Sequence, residues 1–278
     1  ICKKVKEYAK TIAKKDKLML HIAEEIEGKI LEFGGEIAFH VNLGIDDIAA
    51  HHTPAYNDVE KAHGLLKVDL GVAINGLTAD CAFSVDFEDS EENRKLIAAA
   101  EDALKDATNV VLKNKGKSKL NKIGGAIQKA MLKHKVQPII NLSGHGIEKY
   151  DLHAGMIIPN IDNADETELE DGIFAIEPFS TTGNGRVYDS KSSEIYHLID
   201  RKPVRDLVAR QVLDYIEENF KTLPFCSRWI VKKFGTRGLI SLKQLTQAGA
   251  LHNYKELLEI SHNKVAQAEH TLIIDEEE

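Results

Sequence analysis

Apolar positions in the first 32 residues recur at close to helical spacing. Val5, Ala9, Ile12 and Ala13 share one face, and Leu18, Ile22, Ile26 and Ile30 share another. One or two helices are predicted, ended by Gly34 and Gly35. At residue 65 the pattern changes. Leu65–Ile74 is a strand-like run, Asn75 and Gly76 form the dipeptide preferred in a type I′ turn, and Leu77–Phe87 returns, which predicts an antiparallel hairpin. A helix follows, with Ser90 as N-cap, Glu91 and Glu92 at its positive end, and Leu96, Ala100, Leu104, Ala107 and Val111 along one face. Ile123, Ile127, Ala130 and Met131 mark a second amphipathic helix. Two further strands are predicted, Gly172–Glu177 before Pro178, and Val265–Ile274 as one run before an acidic tail, Asp275–Glu278. Between them, about 204–251 reads as a compositionally distinct helical block containing Trp229 and Phe234, a small subdomain inserted into a larger one. There is no fixed-period repeat.

The 278 residues suffice for one large catalytic domain or two modest ones. The 44 acidic and 36 basic residues leave a formal charge of −8, which argues against nucleic acid as a specific partner. The alternating Lys113, Lys115, Lys117 and Lys119 read as a solvated loop after a helix. Cys2, Cys81 and Cys226 are widely separated in sequence and form no CxxC, so neither a disulfide scaffold nor a zinc ribbon is expected, and a reducing, cytoplasmic setting fits best. No uncharged apolar run approaches the ~20 residues a membrane span needs. Gly116, Lys117 and Ser118 look like the end of a phosphate-binding loop, but Val111 stands where its first glycine must be.

The hairpin carries the first chemical signal. With Asn75 and Gly76 as its loop, Asp69 opposes Ala82 and Gly71 opposes Asp80. Side chains alternate with period two, so Asp69 and Asp80 share a face as diagonal neighbours ~7–8 Å apart. Two carboxylates among apolar strands need a positive partner if buried. Taken alone, the hairpin is read equally well as a half-exposed sheet with both aspartates in water.

Further candidates accumulate. His145 lies between Gly144 and Gly146, Glu177 ends an apolar strand, and Glu269 lies within another. Each has an ordinary reading, as a structural histidine or a strand-edge charge. Together, four carboxylates and one imidazole form an oxygen-rich set suited to two divalent ions such as Co, Mn, Fe or Zn. Such a site serves hydrolysis.

The chain resembles the type II methionine aminopeptidases, in their archaeal form. The matching stretches, in family order and spread over nearly the whole chain, are Ala49–Pro54 (AAHHTP), Lys67–Gly71 (KVDLG), Thr78–Phe83 (TADCAF), Gly144–Ile147 (GHGI), Leu152–Gly155 (LHAG), Phe174–Pro178 (FAIEP) and Ala266–Thr271 (AQAEHT). Leu223–Trp229 resembles part of the type II insertion. The short stretch before the first motif favours the archaeal over the eukaryotic form.

The resemblance implies an α+β pita-bread fold, a pseudo-twofold antiparallel sheet covered by helices, as one catalytic domain over 1–278 with a winged-helix-like insertion at about 204–251. It implies removal of the N-terminal methionine from peptides and nascent chains, with a small second residue preferred. It makes Asp69, Asp80, His145, Glu177 and Glu269 the metal positions, Asp80 and Glu269 shared by two ions, Asp69 on one, His145 and Glu177 on the other. A metal-activated bridging water would attack the first peptide carbonyl, with Glu177 relaying its proton and His51 steadying the oxyanion. His153 would face the substrate, and Phe39 would wall the methionine pocket. His52 has no equivalent role. A cytoplasmic monomer that associates with the ribosome is expected. The rival readings are an X-Pro dipeptidase of the same fold and a non-catalytic binding module, which would lack metal ligands.

Overall fold

The computed structural model describes residues 1–114 and 116–275. Lys115 of the lysine-rich stretch and the last three residues of the acidic tail therefore lie outside the described residues.

The first half opens with two helices, α1 (Cys2–Ile12) and α2 (Met19–Glu32), followed by β1 (Glu36–Ile45), β2 (Ile48–Ala50), β3 (Leu65–Ile74) and β4 (Leu77–Asp86). Strands β1, β3 and β4 form one antiparallel sheet. The predicted hairpin register holds, with Ile74 opposite Leu77, Asp69 opposite Ala82 and Gly71 opposite Asp80. Asn75 and Gly76 both have positive φ, 53° and 81°, as a type I′ turn requires. Leu66, Val68, Leu70 and Val72 of β3 pack with Val5, Ala9, Ile22, Ile26 and Ile30 of the two helices. Because faces alternate, that packing turns Lys67, Asp69 and Gly71 to the other side of the sheet.

The second half repeats the plan. Helices α3 (Glu91–Lys113) and α4 (Leu120–Lys133) precede β5 (Gln137–Pro138), β6 (Ser143–Glu148), β7 (Asp151–Pro159), β8 (Gly172–Ile176), β9 (Phe179–Thr181) and β10 (Val187–Leu198). The Ser90 side chain accepts from the Asn93 amide and caps α3. Leu96, Ala107 and Val111 of α3 and Ile123, Ile127 and Met131 of α4 pack against Phe174 and Ile176. A helix pair over an antiparallel sheet thus occurs twice, which is the pseudo-twofold.

The block after β10 contains α5 (Leu207–Asn219), β11 (Phe225–Cys226), α6 (Ser227–Phe234) and α7 (Arg237–Gln247), and the chain ends in β12 (Leu251–Glu259), β13 (Val265–Gln267) and β14 (His270–Ile274). Val212, Leu213, Ile216, Phe225, Ile230, Leu242 and Leu245 give the block a core of its own. Arg228 and Trp229 reach out of it to Glu27 on α2.

One expectation needs correction. The run Val265–Ile274 is not one strand. It breaks at Ala268 and Glu269, because β13 pairs with β9 in one sheet and β14 with β8 in another. At the crossing, the Ala268 amide donates to the Pro178 carbonyl and the Glu269 amide to the Ala82 carbonyl. Cys2 and Cys81, widely separated in sequence, meet in the fold, with their Sγ atoms 3.1 Å apart as free thiols.

Candidate metal centre

All eight residues singled out from the sequence line one cavity of about 190 Å³: Phe39, His51, Asp69, Asp80, His145, His153, Glu177 and Glu269. They arrive from both halves. The β3–β4 hairpin supplies Asp69 and Asp80, β6 supplies His145, and Glu177 follows β8. Glu269 stands at the kink where the last strand changes sheets, so the break in that strand aims its carboxylate inward.

Local sequence explains the close approach. Gly144 and Gly146 flank His145, and a Cβ on either would lie 2.3 Å from the Ala175 carbonyl oxygen or 2.2 Å from that of Ala154. Only glycine lets β6 pass between β7 and β8 there. In β1 the pairing slips twice, between Ile37 and Phe39 and again between Phe39 and Asn42. Bulges of this kind re-aim side chains, and here Asn42 comes to lie opposite Asp69 and donates to its Oδ2 at 3.0 Å.

Asp80, His145 and Glu269 are buried and place ligand atoms within 4.8 Å of one another. His145 Nε2 is 3.9 Å from Asp80 Oδ2 and 3.7 Å from Glu177 Oε1. The solvent-facing reading of the aspartates therefore fails: Asp80 is 4% exposed, and Oδ1 of both Asp69 and Asp80 is closed off from water without a hydrogen-bond partner. Burial pushes the Asp69 carboxyl up to about 7. Asp80, Glu177 and Glu269 are all held well above the carboxylate range, by burial and then by a neighbouring carboxylate's charge, that of Asp69 for Asp80 and Glu177 and that of Asp80 for Glu269. His145 is pushed down to about 4, again mainly by burial, leaving a neutral imidazole ready to donate a lone pair. Four crowded carboxylates, one neutral imidazole and two orphaned buried oxygens fit a divalent cation: the missing component is positive charge that accepts oxygen ligands.

The rim carries His51 and His153. His51 has φ of 60°, a left-handed conformation uncommon for residues other than glycine. Its Nδ1 lies 3.1 Å from the Lys255 carbonyl oxygen. A carbonyl only accepts, so Nδ1 carries the proton and Nε2 is left as an acceptor. Burial lowers the group to about 4, so it is neutral near pH 7. In this tautomer the neutral Nε2 is a hydrogen-bond acceptor. The His153 ring stands 4.4 Å from that of His145. Phe39 covers Gly71, where a Cβ would meet its ring at 2.2 Å.

Several supporting residues escaped the sequence reading. Thr271 Oγ1 accepts from the Asp80 amide at 2.7 Å and donates to the Asp80 carbonyl at 2.9 Å. Gln267 Nε2 donates to Glu269 Oε2 at 3.4 Å. Lys6 Nζ donates to the carbonyls of Ala82 and Glu269, pinning the hairpin to the kink. Gln267 and Thr271 lay inside a quoted motif, AQAEHT, of which only the glutamate had been given a role. Asn42 and Lys6 carried no signal, since their partners are remote in sequence.

No family model matches the chain. It is 42% identical over 282 residues to a methionine aminopeptidase of Pyrococcus abyssi, covering 100% of this chain and 94% of the relative. It is 40% identical over 275 residues to that of Archaeoglobus fulgidus, covering 98% and 91%. Among solved structures, a thermophilic Arx1 superposes with a TM-score of 0.79 at 13% identity over 98% of this chain and 84% of its own. A methionine aminopeptidase from Rickettsia prowazekii gives 0.68 at 18% identity over 98% and 88%. A prolidase from Pyrococcus furiosus gives 0.51 at 20% identity over 63% and 52%. At these identities the structural likenesses establish the fold alone.

Proposed function

The chain belongs to the methionine aminopeptidase family, and we propose that it removes the N-terminal methionine through the five residues Asp69, Asp80, His145, Glu177 and Glu269. The observation that carries this reading is the convergence of four carboxylates and a neutral imidazole on one cavity, with two buried carboxylate oxygens lacking any partner. Family membership brings divalent metal dependence. Two ions, of Co, Mn, Fe or Zn, suit the ligand count, and Asp69, Asp80, His145, Glu177 and Glu269 would hold them.

A bound divalent ion supplies Lewis acidity and lowers the pKa of a water near neutral pH. The chain's own residues do the rest. Glu177, held well above the carboxylate range by burial and the Asp69 charge, takes the proton of the attacking water and passes it to the leaving amine. His51 Nε2 accepts from the N–H of the scissile peptide, oriented by the Lys255 carbonyl on its other nitrogen. Phe39, His153 and the apolar wall exclude water and hold the methionine side chain, whose flexible thioether suits an apolar pocket. The family resemblance adds a preference for a small second residue. Among the described residues no helix is long and apolar enough to cross a membrane. A cytoplasmic monomer acting on nascent chains at the ribosome, with residues 204–251 as a winged-helix-like insertion, completes the reading.

The test is release of free methionine from a Met-Ala-Ser peptide by metal-stripped protein given Mn²⁺ or Co²⁺, with Asp80→Asn as control. Metal-dependent release abolished by the substitution supports the reading. A folded protein that releases none with any divalent ion sinks it.

A further inference from the structure

A second group of ligand-bearing side chains lies apart from the cavity ligands. His52, Asp58 and Glu60 place one ligand atom each within 4.8 Å of one another. Glu60 is exposed, Asp58 is half-buried and His52 is buried. His52 is 8% exposed, and its Nε2 is closed to solvent with no hydrogen-bond partner. That atom faces Glu60 Oε2 at 3.9 Å, too far for a hydrogen bond. Two donors about 2.0–2.2 Å from a common tetrahedral ion lie roughly 3.3–3.6 Å apart, so a movement of a few tenths of an ångström by the exposed Glu60 side chain brings both onto one ion.

The tautomer is already set for this. His52 Nδ1 lies 2.9 Å from Glu256 Oε1, and Glu256 is itself only 5% exposed. The Glu256 carboxylate accepts there, so Nδ1 carries a proton and Nε2 is the nitrogen turned toward Glu60 and Asp58. A carboxylate behind a histidine, orienting its other nitrogen, is the usual outer support of a metal-bound imidazole. Neighbouring contacts are consistent with a cation in front. Lys191 Nζ, 3.4 Å from Glu256 Oε1, balances the supporting carboxylate, while no lysine or arginine is paired with Asp58 or Glu60 among the described ion pairs. The Asp58 side chain accepts from the Glu60 amide through Oδ1 at 2.7 Å, which folds the two acids onto one side of a tight turn.

We propose that His52, Asp58 and Glu60 form a second divalent-cation site, distinct from the cavity centre, that takes Zn²⁺ or a similar borderline ion through one imidazole nitrogen and two carboxylates. One nitrogen and two oxygens, with the remaining positions open to water on the exposed side, fit such ions better than Ca²⁺ or Mg²⁺, which prefer all-oxygen sets. The site is structural in effect. Glu256 belongs to β12, His52 and Asp58 to the segment after β2, and the Glu60 carbonyl accepts from Met19 at the start of α2. An ion here staples three segments together directly behind His51, whose left-handed backbone needs a firm frame.

The experiment is a Zn²⁺ titration by calorimetry on metal-stripped full-length protein, comparing the unmodified chain, Glu60→Gln, Asp58→Asn and Asp80→Asn, with thermal unfolding followed in parallel. The two surface substitutions are expected to lose about one bound equivalent. Asp80→Asn is expected to keep that equivalent, and Zn²⁺ is expected still to raise its melting temperature. Zn²⁺ binding by Glu60→Gln and Asp58→Asn that matches the unmodified chain overturns the proposal. Because Asp80→Asn tests the cavity centre separately, failure of either site is distinguishable from failure of the other.

Discussion

The guanidinium of Arg228, on α6, forms a buried ion pair with Glu27, on α2, across a gap of 201 residues in sequence. Glu27 also accepts from Trp229 Nε1 at 2.9 Å and from the Val41 amide at 3.2 Å, and Arg228 donates to the Pro54 carbonyl at 2.6 Å. The helical block is thereby fastened to the sheet that carries Asp69 and to the loop that follows His51. Removing one partner of such a pair strands the other charge in the interior. Arg228→Met is expected to destabilise the fold by about 3–5 kcal/mol. Urea unfolding of this variant beside Arg228→Met/Glu27→Gln checks it, since the double variant should recover part of the loss.

The cavity carboxylates are held at the expense of stability. Asp80 has one oxygen with no partner and three other acids around it. In EDTA, Asp80→Asn is expected to unfold at higher denaturant than the unmodified protein, by roughly 1–2 kcal/mol. Added Mn²⁺ should then stabilise the unmodified protein more than the variant. A variant less stable than its parent in EDTA would contradict this account.

Phe39 and Gly71 occupy one space. Gly71→Ala must displace the buried Phe39 ring, whose nearest atom lies 2.2 Å from the added Cβ. The expected outcome is a KM for methionyl peptides raised by about tenfold, the scale of one misplaced methyl in an apolar pocket, with metal affinity little changed. Steady-state kinetics and a Mn²⁺ titration separate the two effects.

His40 provides a pH test. It is 2% exposed, and burial, helped by the Arg228 charge, lowers it from 6.5 to about 3. Between those values the unfolded chain binds a proton at this residue and the folded chain does not, so stability falls as pH drops from 6.5 toward 3. The slope attributable to it is about 1.4 kcal/mol per pH unit. His40→Asn should remove that share of the slope, read from denaturant midpoints at a series of pH values.

Much of this was legible in the sequence for local reasons. The Asn75–Gly76 turn admits one register, and period-two alternation then puts Asp69 and Asp80 on one face. Ser90 caps α3, and the apolar spacing of α1 to α4 gives their buried faces. The ligand identities came from the family resemblance, because nothing local ties His145, Glu177 or Glu269 to the hairpin.

What the sequence by itself determined was therefore the set of elements whose signals span a few residues, and through its motifs the chemical types that meet. The tertiary structure decided the rest. It broke the final strand at Glu269, because its two ends pair in different sheets. It gave His51 its tautomer, because Lys255 supplies a carbonyl from 204 residues away. It brought Asn42 and Thr271 to the aspartates, Lys6 to the Ala82 and Glu269 carbonyls, and Glu256 to His52. Each of these contacts depends on a partner remote in the chain, and burial by that partner's element, not any local preference, fixes its charge and its geometry.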